Sequence, residues 1–68
     1  MNIKTSQDFG ELIKKKRKSL NFTQKDLAMT AGTGIRFIVE LENGKPTCHI
    51  NKALRVAQVL GIKISSVD

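Results

Sequence analysis

The sequence predicts a small all-α fold, four helices packed as a bundle with two of them joined as a helix-turn-helix, followed by a short C-terminal strand. Three observations predict it. Apolar residues recur every three or four positions in four separate stretches. A threonine able to cap a helix precedes each stretch: Thr5, Thr23, Thr33 and Thr47. Only the tail, Ile62-Lys63-Ile64, alternates with the period of two that marks a strand. The helices are expected at about 6–20, 24–30, 34–42 and 48–60 and the strand at about 62–67, the whole of 1–68 being one domain.

After a short arm, Met1 to Lys4, the run Thr5-Ser6-Gln7-Asp8 matches a capping box for the first helix. Phe9, Leu12, Ile13 and Leu20, with the stem of Lys16, form its buried stripe, while Lys14, Lys15 and Lys18 face outward. Asn21 and Phe22 turn the chain, Phe22 as a core plug. Thr23 caps the second helix, with Asp26 completing a second capping box. Thr33 caps the third, although Gly34 in its first turn costs about 1 kcal/mol of helix propensity. Asn43-Gly44 and then Pro46 stop that helix. The fourth, capped by Thr47, buries Ile50, Ala53, Leu54, Ala57 and Leu60 and is closed by Gly61. A lone strand needs a partner, so Ile62, Ile64 and Val67 are expected to pair with their copies across a homodimer.

The central stretch is Thr23 to Asn43, where two short helical patterns meet at Thr30-Ala-Gly-Thr-Gly34. Counting from Gln24, a small residue, Ala28, falls fifth, where two steeply crossing helices touch. Gly32 falls ninth, just past the last turn of the first, where a left-handed residue is needed. Ile38 and Leu41 form the inner face of the second helix, leaving Ile35, Arg36, Val39, Glu40 and Asn43 pointing elsewhere.

The chain has 68 residues, 40% hydrophobic and 26% charged, which suits a folded domain and argues against disorder. At this size a single core supplies only about 3–5 kcal/mol, so association is a natural supplement. A net charge of +6 points to an anionic partner, nucleic acid ahead of a membrane. With apolar runs of only a few residues, no signal-peptide pattern and a single cysteine, a cytoplasmic protein is expected. Its one His and one Cys are adjacent, at Cys48-His49, and diverge on a helix, so no catalytic pair, metal site or cofactor is expected.

The run TQKDLAMTAGTGIRFIVELENGK, Thr23 to Lys45, resembles the helix-turn-helix of the phage 434 repressor and Cro type, the broad XRE-like family with the lambda repressor-like fold. The resemblance spans about Phe9 to Gly61 and implies four or five helices, a homodimer and binding to a double-stranded DNA operator through the major groove. Arg36 to Lys45, then Lys52 to Leu60 and the Gly61-Ile-Lys-Ile64 tail, look more narrowly like the HipB-like antitoxins. That similarity implies C-terminal strands paired across a dimer, a HipA-like kinase toxin as partner, and repression of the protein's own operon. Where the phage proteins carry polar residues early in the recognition helix, this chain has Gly34, Ile35 and Phe37, so their base code does not transfer. Their fifth helix is missing or replaced by the strand.

Set on DNA, Gln24 at the start of the second helix is expected to meet a phosphate, as are Thr33, Asn43, Lys45 and Lys16. Arg36 is the main candidate to read a base, by bridging guanine O6 and N7, with a phosphate contact as competitor. Gly34 offers a bare turn for close approach. Ile35 and Phe37 either touch a thymine methyl or pack, and Glu40 either accepts from a cytosine amino group or sets register by repulsion. Arg17 and Glu42 hold positions that pair in the phage repressors, which implies a structural ion pair. Lys14 to Lys18 read as a solvated face, with Lys16 and Arg17 placed by the resemblance to add long-range attraction without sequence information. The expected function is an autoregulating antitoxin that represses transcription. Its alternatives are a stand-alone phage-type or plasmid-type repressor and a helix-turn-helix interaction module that binds no DNA.

Overall fold

The Thr5 hydroxyl accepts a hydrogen bond from the Asp8 amide at 3.1 Å, and the Asp8 carboxylate accepts one from the Lys4 amide at 3.0 Å; together they open α1 (Ser6–Ser19). The computed structural model describes residues 4–47 and 49–62, and three helices follow in it: α2 (Gln24–Ala31), α3 (Ile35–Glu42) and α4 (Ile50–Val59). α1 packs on α3, and α2 packs on both α3 and α4.

All four helices stop by one device. A residue of positive φ follows each helix, at Asn21, Gly32, Gly44 and Gly61. The amide after it reaches back to close the last turn: Phe22 to the Arg17 carbonyl, Thr33 to Ala28, Lys45 to Glu40 and Ile62 to Ala57, at 2.9–3.1 Å. Asn21, at φ 60°, is the one that is not glycine.

The core lies between these helices, where α1 packs on α3 and α2 packs on α3 and α4. Ile13, Leu27, Ile38, Val56 and Leu60 are fully buried, each contributing about 1.5–3 kcal/mol of transfer free energy. Ala28, Ala31, Ala53, Ala57 and Leu41 fill the gaps between them. Phe9, Phe22 and Phe37 pack around the edge. Gly10 sets the α1–α3 distance: a Cβ there would collide with the carbonyl oxygens of Leu41 and Glu42. Gly44, at φ +82°, also sits close to α1, its Cβ position 2.8 Å from Gln7 Cα. The Ser6 hydroxyl donates to the Gly44 carbonyl at 2.7 Å, tying the loop after α3 to the start of α1.

Several local expectations need correction. Thr33 does not cap α3. Its amide already closes α2 and its hydroxyl donates to the Gly34 carbonyl at 3.3 Å, so Gly34, at φ −77° and ψ 154°, becomes the N-cap, with no side-chain hydrogen bond. Thr47 accepts from the His49 amide at 3.0 Å, and α4 begins only at Ile50, after the Pro46-containing loop has turned. Leu20, Ile50 and Leu54 are 44%, 57% and 38% exposed, not core. Leu20 lies past the end of α1, and α4 turns its Ala53, Val56, Ala57 and Leu60 stripe inward instead.

Among the described residues there is neither a strand nor a fifth helix. Ile62, the expected first strand residue, folds back: its amide donates to Ala57 and its half-buried side chain joins the edge of its own core. Residues 63–68, with Ile64 and Val67, lie outside the described residues, as do 1–3 and Cys48.

Candidate nucleic-acid interface

A buried polar cluster fixes the relation of α1, α2 and α3. Arg17 Nε donates to Glu42 Oε2 at 2.6 Å, and its Nη2 donates to Glu42 Oε1 at 3.2 Å. The two side chains are 10% and 2% exposed. Arg17 Nη1 donates to the Phe22 carbonyl at 2.7 Å, and Gln24 Nε2 donates to Glu42 Oε1 at 3.1 Å. The bidentate geometry and the further donors offset much of the desolvation of the charges. The start of α2 and the end of α3 are thereby locked to α1. Gln24, read from sequence as a phosphate contact, is half-buried and commits one amide N–H to Glu42.

From this anchor α3 presents its opposite side to solvent. The Arg36 side chain is 89% exposed, and Ile35 is 49% exposed. Gly34 is open: a Cβ there would meet nothing within 4 Å. Glu40 Oε2 lies 3.4 Å from Arg36 Nε, one helical turn away, and accepts from Lys45 Nζ at 3.2 Å. The Lys45 hydrogen bond, with the charges of Lys45 and Arg36 adding to it, holds the Glu40 carboxyl below its ordinary value of 4.5 against the opposing effect of desolvation. Asn43, the C-cap of α3, and Lys45 beside it are exposed. Gly34, Ile35, Arg36, Glu40, Asn43 and Lys45 thus run along one side of the molecule, and half-buried Thr33 sits at the head of that row.

Phe37, for which packing and base contact were both open, packs. Its ring meets His49 edge-on at 6.4 Å between centroids and carries Lys52 Nζ 5.9 Å from its centre. Lys16 is exposed in the last turn of α1, and Lys14, Lys15 and Lys18 are exposed with it. Between Asn43 and Ile62 the chain holds no acidic residue against Lys45, Lys52 and Arg55. Sequence reasoning did not single out Gly10 or Ser6, which set the position of α3. An isolated Gly inside a helical pattern was the available signal for the first. Among the described residues no three of His, Cys, Asp and Glu come together to hold a metal ion, and no helix is long and apolar enough to cross a membrane.

The family model for the helix-turn-helix domain matches residues 10–66, from the Gly10 contact through the whole motif and α4. This chain belongs to the helix-turn-helix domain family. The helix-turn-helix domain is also 53% identical over 62 residues to an uncharacterized HTH-type transcriptional regulator, y4mF, of Sinorhizobium fredii, a match covering 91% of this chain and 82% of that protein. In the domain described above, α2 and α3 are the two helices of the motif, Gly32 is the turn, and the outer side of α3 is exposed.

Proposed function

We propose that this helix-turn-helix protein is a sequence-specific, DNA-binding transcriptional repressor that acts in the cytoplasm as a homodimer. One observation carries the reading. α3 buries Ile38 and Leu41 while leaving Gly34, Ile35 and Arg36 uncovered beside Lys45, on a domain of net charge +6. A helix held in this way can enter a major groove with Arg36 toward a guanine and Ile35 toward a thymine methyl. Gln24 with its second N–H, Thr33, Asn43, Lys45 and Lys16 then face the sugar-phosphate backbone. The regulator of Sinorhizobium fredii supports the transcriptional role. The resemblance of Arg36 to Lys45, of Lys52 to Leu60 and of the Gly61 to Ile64 tail to HipB-like antitoxins supports a finer reading, in which the protein neutralises a HipA-like kinase toxin and represses its own operon. In a dimer, two copies of α3 would enter successive major grooves about 34–36 Å apart.

The test separates base reading from charge. Duplexes are selected from a random pool with the wild-type protein, and Arg36→Ala and Lys45→Ala are measured on selected and random DNA. Arg36→Ala should cost about 1–3 kcal/mol at one base pair and relax preference there. Lys45→Ala should weaken all sequences alike and flatten the salt slope by about one. Identical behaviour of the two variants on both kinds of DNA contradicts the assignment. Copurification with the product of an adjacent kinase-like gene tests the antitoxin part.

A further inference from the structure

Glu40 stands between two cations on the exposed side of α3, and the atoms it meets restrict what it can do. A guanidinium offers Nε with one Nη along one edge and its two Nη groups along the other. Arg36 turns Nε toward Glu40 Oε2, at 3.4 Å. Its two Nη groups therefore remain available as the parallel pair that guanine O6 and N7 require. On the other side, Lys45 Nζ donates to the same Oε2 at 3.2 Å, so the carboxylate goes among phosphates already neutralised. Both cations meet Oε2; accepting from a cytosine would fall to Oε1 and would read a base pair other than the guanine of Arg36. A role in holding the fold is a weak competitor, because exposed pairs of this kind contribute little to stability.

We propose that Glu40 is a positioning residue that aims Arg36 at a guanine. The proposal rests on α3 being the helix that reads DNA.

The experiment uses the full chain and a duplex selected by the wild-type protein from a random pool, with every base pair varied in turn. Arg36→Ala first identifies the guanine that Arg36 reads. Glu40→Ala should then lower preference for that same guanine about tenfold, within the range a bidentate contact supplies. It should also bind random DNA more tightly with a steeper salt dependence, since one negative charge has gone. In the Arg36→Ala background it should change no base preference, and Glu40→Gln, which keeps the acceptor without the charge, should retain part of the preference. A reader of bases would instead lose preference at a different base pair, a cytosine, in both backgrounds, and that result overturns the proposal. So does an unchanged preference in Glu40→Ala when Arg36→Ala has lost one, which leaves α3 as the reading helix. A wild-type protein that selects no duplex overturns both.

Discussion

At the scale of single residues, Arg17 and Glu42 matter most to the fold although neither faces solvent. Removing Arg17 alone leaves a carboxylate only 2% exposed with Gln24 as its remaining side-chain donor. Arg17→Met should cost on the order of 3–5 kcal/mol, as large as the whole stability expected of so small a core, whereas the double variant Arg17→Met, Glu42→Leu should recover part of that loss. Urea denaturation of the three proteins measures this, and a double variant less stable than either single one would contradict it. The pair was suggested through the family resemblance and not through spacing, since 25 positions separate its members. What no local pattern carried was Gln24. Its commitment to Glu42 exists only once α2 has been laid across the end of α3, so from sequence its amide looked free for a phosphate.

At the scale of elements, caps and turn residues were the most legible features, because each acts within four or five residues of itself. Thr23 with Asp26, the left-handed turn at Gly32 and the stop at Gly44 all follow from short-range chemistry. The reading failed where one residue had two possible partners. Thr33 was free to cap α3 by pattern, but closing α2 took its amide and moved the cap to Gly34. Ile50 and Leu54 fit a helical stripe, yet the face of α4 that turns inward is decided by the small residues Ala53 and Ala57, which let it approach α2. The bare cap gives a prediction of opposite signs. Gly34→Ser supplies the missing acceptor and should raise stability by a few tenths of a kcal/mol. If DNA approaches α3 closely at this point, the same change should weaken binding to a selected duplex. Thermal unfolding and a binding titration check the two halves, and tighter binding by Gly34→Ser would contradict a close approach there.

At the scale of the whole molecule, two properties bear on partners. Exposed Ile50 and Leu54 line an open apolar groove of about 330 Å³ with Phe9, Leu41 and Pro46, and the chain carries +6. The charge was legible from composition; the groove was not, because it depends on which side of α4 the core leaves uncovered. We expect the proposed dimer to depend on the segment after Ile62, so a chain ending at Ile62, which keeps the turn closing α4, should sediment as a monomer while its helices stay intact by circular dichroism. A surviving dimer would contradict strand pairing through that segment. The central claim, that α3 and its surrounding cations read DNA, is tested most directly by a salt series on a duplex selected from a random pool. A dimer making roughly 6–10 phosphate contacts should lose about 10³–10⁵ in affinity between about 50 and 200 mM salt. Failure to bind any duplex at the low-salt end would contradict the claim.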